Sequence, residues 1–98
     1  MLHSHKHQNN FPRALKAARI ASGLSQEAFS LVSSRTYVSS LERGKKIPTL
    51  NKVDELAEVL GIHPLTLLAL SYMSKNDSNT VGELFDLVST ELLKIQTK

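Results

Sequence analysis

The 98-residue sequence contains no cysteine. This absence excludes disulfides, a thiol nucleophile and cysteine-based zinc sites, and it fits a reducing compartment. Long apolar runs are also absent, because the most apolar stretch, residues 61–73, contains His63 and Pro64 and is too short to cross a bilayer. The first ten residues, MLHSHKHQNN, lack the apolar core of a signal peptide. We therefore expect a soluble cytoplasmic protein without membrane contact.

Signatures of catalysis are missing as well. No serine, histidine and acid form a recognisable triad, and no glycine-rich phosphate loop follows a strand. His3, His5 and His7 alternate near the N-terminus and could bind a transition metal together, but their spacing matches no defined site. A partly protonated tail is the better interpretation of these histidines. The sequence thus predicts no enzymatic activity, no cofactor, no metal and no small-molecule substrate.

Charge is distributed unevenly along the chain. Residues 1–52 carry nine Lys and Arg against two acids, a net +7, whereas residues 53–98 carry three Lys against seven acids, a net −4. A basic half beside an acidic half indicates one face suited to a polyanion such as nucleic acid. The alternative is an ordinary scatter of surface charge.

Apolar residues recur at helical spacing, and no segment of useful length alternates as a β-strand does. Five short helices are predicted, followed by a longer one that begins at Thr80 after the polar segment SKNDSN. Asn10 is predicted to cap the first helix, Ser25 the second helix, QEAFSLV, and Ser34 the third, which Gly44 ends. Thr49 starts the fourth helix, and Pro64 is the first residue of the fifth. In the fourth helix the spacing predicts an inward face of Leu50, Val53, Ala57 and Leu60.

Three segments follow from this pattern: a flexible tail at residues 1–9, a helical domain at 10–73, and a linker with a terminal helix at 74–98. The terminal helix is too apolar for a lone solvated helix, so it packs on its own domain or pairs with its copy in a second chain. Pairing would make the protein a homodimer. The predicted dimer interface is Val81, Leu84, Phe85, Val88, Leu92 and Ile95.

Three sequence stretches carry a family resemblance: LKAARIASGLSQEAF, SRTYVSSLERGKKIPTL and KVDELAEVLGIHPLTLL. Over roughly residues 11–70 they resemble the helix-turn-helix family of phage Cro and repressor proteins, a pattern shared by many bacterial Xre-type regulators. The resemblance implies an all-α, five-helix phage-repressor-like domain that binds double-stranded DNA. Residues 34–43 would form the helix that enters the major groove.

The resemblance places base contacts on Arg35, Thr36 and Ser40. A guanidinium such as that of Arg35 can pair with guanine O6 and N7, although a nonspecific phosphate contact is the alternative for this residue. Thr36 can offer its hydroxyl or its methyl group, and Ser40 is short enough to need a bridging water.

Other family positions imply contacts to the DNA backbone and one structural pair. Gln26 and nearby amides would meet a phosphate, helped by the helix dipole, while basic residues after the third helix would add affinity without sequence information. Arg19 and Glu42 match a buried ion pair between the first and third helices, a structural role. The predicted backbone contacts are Ser25, Gln26, Tyr37, Ser39, Arg43, Lys45 and Lys46.

One departure from the family pattern lies in the turn. Between Phe29 and Arg35 the chain has only SLVSS, a shorter stretch than usual that lacks the usual glycine. The shortening must remove part of the second helix or tighten the turn, and either change would alter the angle of the third helix.

The sequence therefore predicts a sequence-specific DNA-binding transcriptional regulator, a repressor that acts as a homodimer on a palindromic operator. An antitoxin and the controller protein of a restriction–modification system share this architecture. The alternative from another class is a protein-interaction module that keeps the shape and no longer binds DNA. The basic first half argues against that alternative.

Overall fold

The structure, a computed structural model, describes residues 8–73 and 80–97. The histidines His3, His5 and His7 and the linker at 74–79 lie outside the described residues. The elements are α1 (Phe11–Ala21), a 3-10 helix (Gln26–Phe29), α2 (Arg35–Glu42), α3 (Leu50–Leu60), α4 (Pro64–Tyr72) and α5 (Thr80–Gln96). The predicted all-α class is confirmed. Within the described ranges, none of these helices is both long enough and apolar enough to cross a membrane.

Hydrogen bonds from backbone amides to side-chain hydroxyls determine where two central helices begin. The Ser34 hydroxyl oxygen accepts a hydrogen bond from the Tyr37 amide at 3.1 Å. The Thr49 hydroxyl oxygen accepts one from the Lys52 amide at 3.0 Å. Both bonds satisfy amides that have no partner within the helix. Ser25 differs from the prediction, because it precedes the 3-10 helix but its side chain makes no capping hydrogen bond.

A hydrophobic core holds the first four α-helices and the 3-10 helix together. Each large side chain buried there contributes roughly 1.5–3 kcal/mol, and packing is needed because helices this short are marginal alone. Leu50, predicted to face inward, is instead 74 % exposed, because it begins α3 at the edge of the core beside Ile47 and Pro48. The buried core residues are Phe11, Ala14, Leu15, Phe29, Val38, Leu41, Val53, Leu56, Ala57, Leu60 and Leu67.

α5 has a different character from the other helices. It has no extensive packing contact with any of the other described helices. Seven of its large apolar side chains are between 37 % and 69 % exposed. Leu84, Leu87 and Val88 line a shallow groove that also includes Tyr72 at the end of α4. An apolar helix surface exposed over this length favours association with another surface.

Candidate nucleic-acid interface

α2 turns one side to the core and the other side outward. Val38 and Leu41 are fully buried, and their spacing of three residues places them on one face of the helix. On the remaining surface Arg35 and Thr36 are exposed, while Ser39 is half-buried. The outward surface at the start of α2 is therefore polar and carries one long cationic side chain.

Five of the predicted DNA-contacting residues line one cleft of about 230 Å³: Gln26, Arg35, Thr36, Ser39 and Arg43. The cleft, hereafter the polar cleft, joins the 3-10 helix to the exposed side of α2. Its two guanidinium groups, amide and hydroxyls offer hydrogen-bond donors. Such donors suit the oxygen acceptors of phosphates and of base edges.

The other predicted contact residues lie outside the polar cleft. Lys45 and Lys46 are exposed in the loop after α2, which begins at Gly44 with a φ of +74°. Glycine suits that left-handed position, which ends α2 and turns the chain toward the two lysines. Ser25 is exposed ahead of the 3-10 helix, and Ser40 is half-buried on α2.

Tyr37 is held against the protein by α3. Its side chain is half-buried and packs against the core. The Lys52 Nζ atom lies 5.9 Å from the centre of its ring, within the range of a cation–π interaction. The ring is thus oriented by contacts inside the protein.

Behind the polar cleft, Arg19 and Glu42 form a two-point ion pair. The Arg19 Nε atom is 2.6 Å from Glu42 Oε2, and the Arg19 Nη2 atom is 2.9 Å from Glu42 Oε1. The two side chains are 14 % and 4 % exposed. Arg19 also donates from Nη1 to the Leu24 carbonyl at 3.0 Å. This geometry links α1 to the end of α2.

Gln26 connects that ion pair to the polar cleft. Its Nε2 donates to Glu42 Oε1 at 3.1 Å, while its side chain also lines the cleft. A side-chain amide has a second N–H and a carbonyl oxygen, so the Glu42 bond leaves Gln26 able to bind a further group. The ion pair therefore fixes the position of one wall of the cleft.

The hydrogen bonds also keep Glu42 charged. Burial alone would raise the pKa of the Glu42 carboxyl, but hydrogen bonds from Arg19 and Gln26, together with the positive charges of Arg19 and Lys16, outweigh burial and hold this pKa below its ordinary value. The same hydrogen bond raises the pKa of the Arg19 guanidinium. Both groups are therefore ionised at neutral pH.

Two residues near the site were not predicted from the sequence. Glu27 Oε2 lies 3.5 Å from Arg35 Nε, with side chains 63 % and 67 % exposed; so exposed a pair stabilises the fold little. Lys52 Nζ donates to the Val32 carbonyl at 2.5 Å. The sequence did contain an indication of this contact. A lysine in the first turn of α3 is disfavoured by the helix dipole, which suggests that its charge is compensated by a partner elsewhere in the fold.

The connection to α2 is short, and the second helix is correspondingly reduced to a single short 3-10 helix. The 3-10 helix spans only Gln26–Phe29. The amides of Val32 and Ser33 both donate to the Phe29 carbonyl, at 2.9 Å and 2.8 Å. Across the described ranges, glycines are the only residues with positive φ. The missing glycine is thus unnecessary here, since no turn residue adopts the conformation that would require it.

Comparison with known proteins agrees with this geometry. Residues 15–67, more than half of the chain, match the family model described as helix-turn-helix. The chain is 34 % identical over 61 residues to control protein C.BamHI of Bacillus amyloliquefaciens, a match that covers 59 % of this chain and 75 % of that protein. The family match includes the ion pair and the polar cleft. The chain belongs to the helix-turn-helix family of Xre- and Cro-like DNA-binding transcriptional regulators.

Proposed function

We propose that the protein binds double-stranded DNA in a sequence-specific manner, with residues 34–43 in the major groove. The observation that carries the proposal is the polar cleft, where Arg35 and Thr36 meet residues suited to phosphate. Side chains near the N-terminus of a helix in the major groove point at base edges. Arg35, Thr36 and Ser40 would contact bases, and Arg35 would pair with a guanine.

The residues around the cleft would supply affinity and orientation. Gln26 is held by Glu42 and would donate its second N–H to a phosphate. Arg43, Lys45 and Lys46 are all exposed after the buried part of α2. Each phosphate they neutralise would release counterions and steepen the salt dependence of binding by roughly one unit in a log–log plot. Ser25, Tyr37 and Ser39 would complete the backbone contacts.

We further propose that the protein is a homodimer through α5. The supporting observation is the exposure of the α5 apolar surface, where Phe85 is 50 % exposed and Ile95 is 69 % exposed. A two-fold dimer would place two recognition helices on half-sites about 34 Å apart on one side of the DNA. Bound over a promoter, such a dimer would repress transcription by occlusion. The interface would comprise Val81, Leu84, Phe85, Val88, Leu92 and Ile95.

A second candidate function is the controller protein of a restriction–modification system. It is supported by the similarity to a protein named control protein C.BamHI. An antitoxin would use the same DNA-binding surface. The genes beside this one separate the three possibilities, since a controller lies with a nuclease and methyltransferase and an antitoxin lies with a toxin.

Selection of bound sites from a random DNA pool, followed by salt titration, tests the proposal. We expect a palindromic consensus and a logarithm of the binding constant that falls linearly with the logarithm of salt concentration. The variant Lys94→Ala, in the acidic half, is a control that should bind as the wild type does. Undetectable binding at low salt would instead support the protein-interaction alternative, and a consensus with one half-site would contradict the dimer.

A further inference from the structure

We infer that Lys52 is a positioning residue that holds the turn before α2 and thereby sets the placement of Arg35 for base contact. This inference rests on the proposed function. The Lys52 ammonium lies near a carbonyl of the turn, an acid on its own helix and an aromatic ring of α2. It lies 2.5 Å from the Val32 carbonyl oxygen and 2.8 Å from Glu55 Oε1. It also lies 5.9 Å from the centre of the Tyr37 ring.

Backbone hydrogen bonds to the Phe29 carbonyl close the turn, but few of its side chains are buried against the rest of the protein. The 3-10 helix before it has only four residues. Leu31 is 97 % exposed and contributes no burial, and Ser30 is exposed as well. Val32 is half-buried against the core. A hydrogen bond from a charged donor to the Val32 carbonyl is stronger than one between neutral groups, and it adds a link to α3 that the backbone bonds within the turn do not provide.

Lys52 occupies a position that costs stability unless the charge is compensated. It lies in the first turn of α3, where the helix dipole disfavours a cation. The Val32 carbonyl and the Glu55 carboxylate supply the compensation. The contact with Val32 connects α3, which is anchored in the core, to the residues immediately before α2. Movement of Val32 would move Ser34 and Arg35 with it, because only Ser33 lies between Val32 and the capping serine.

The placement distinguishes Lys52 from the lysines proposed to contact DNA. Its side chain is 22 % exposed, whereas Lys45 and Lys46 are exposed in an open loop. Lys52 therefore acts through α2 and not on a phosphate. Its loss should reduce affinity for the cognate site much more than affinity for random DNA, and it should leave the salt slope unchanged.

The test compares Lys52→Met with Lys46→Met on the selected operator and on a random duplex over a range of salt. Both variants remove one positive charge and keep an unbranched apolar stem. We expect Lys52→Met to weaken operator binding by about tenfold, the equivalent of one charged hydrogen bond, with little change on random DNA. Lys46→Met should weaken both duplexes alike and lower the salt slope by about one. An equal loss on both duplexes with a lower slope for Lys52→Met would overturn the inference.

Amide hydrogen exchange of residues 33–37 in the free protein provides a measurement independent of DNA. Exchange should accelerate in Lys52→Met, stay unchanged in Lys46→Met and return toward the wild-type rate in Lys52→Arg, which keeps a cationic donor. Unchanged exchange in Lys52→Met, or failure of Lys52→Arg to restore it, would contradict the inference. If the wild type binds no DNA, the proposed function fails, and exchange still decides whether Lys52 holds the turn.

Discussion

At the residue scale, Arg35 and Lys46 are proposed to make the two kinds of DNA contact that a basic side chain can make. Arg35 lies in the polar cleft at the start of α2, with its Nε atom 3.5 Å from Glu27 Oε2. Lys46 lies in the exposed loop after α2. A cation at the first position can meet a base edge, whereas a cation in the loop meets phosphates that are the same in every sequence.

Substitution should separate these two contacts. Arg35→Ala should relax discrimination at one base position by about 1–3 kcal/mol, because the guanidinium pairing with guanine is lost. Lys46→Ala should weaken all sequences alike and lower the salt slope by about one. Competition binding with single-base variants of the selected operator measures both effects. If Arg35→Ala weakens every sequence equally, Arg35 is a phosphate contact.

Glu42 makes the stability of the protein depend on pH. Its folded pKa is lower than the ordinary value of 4.5, because the hydrogen bonds from Arg19 and Gln26 and the charges of Arg19 and Lys16 together outweigh the effect of burial. Its contribution is therefore fully present above pH 4.5 and is lost as the pH falls below that value through the depressed folded pKa. We expect this loss to appear in urea unfolding measured between neutral and acidic pH.

The variant Glu42→Gln should destabilise the protein at neutral pH by about 3 kcal/mol, because Arg19 remains largely buried without its ionic partner. It should also reduce the loss of stability on acidification. The exposed Glu58 on α3 provides a matched control, since Glu58→Gln should leave both the stability and its pH dependence near those of the wild type. Equal behaviour of the two variants would contradict the role of the ion pair.

At the scale of the element, the start of α2 depends on one hydroxyl. The Ser34 side chain accepts a hydrogen bond from the Tyr37 amide. Ser34→Ala should cost about 1 kcal/mol of stability and should weaken operator binding, because the first turn carries Arg35 and Thr36. Thermal unfolding and binding to the selected operator measure the two effects. Ser22→Ala, at an exposed position after α1, should change neither, and an equal effect of both variants would contradict the capping role.

The boundaries of most elements follow from local chemistry. Capping at Ser34 and Thr49 and the left-handed glycine after α2 were all predicted, because each depends on residues within one helical turn. The second helix was predicted to be longer. It ends at Phe29 because the short connection to α2 makes the Val32 and Ser33 amides turn back to the Phe29 carbonyl. That outcome depends on where α2 is placed by the core.

At the scale of the whole molecule, the core and α5 differ in how far their apolar side chains are buried. The core is complete within the chain, with Leu15, Phe29 and Leu41 fully buried. α5 leaves its apolar side chains exposed and packs little on the other described helices. Burial of such a surface against a second copy would remove apolar area from water, which is the physical basis for the proposed dimer.

Leu92→Glu should convert the protein to a monomer, because it places a charge in the middle of the proposed apolar interface. Thr90→Glu is a control of equal charge on the opposite side of α5, by helical periodicity, and should leave the dimer intact. Sedimentation equilibrium measures the state of association. The monomer should also lose affinity for a two-half-site operator while keeping the unfolding temperature of its core. A monomeric wild type would reject the interface.

The sequence by itself determined the helical class, most helix ends, the basic first half and the family. Each of these rests on local spacing, on composition or on a motif that is continuous along the chain. Only the tertiary structure decided that Gln26 connects the ion pair to the polar cleft, that Lys52 binds the Val32 carbonyl, and that Leu50 is exposed. The two hydrogen bonds join residues 16 and 20 positions apart. Contacts at such separations follow no periodic pattern, because they form only when packing of the core brings distant segments together.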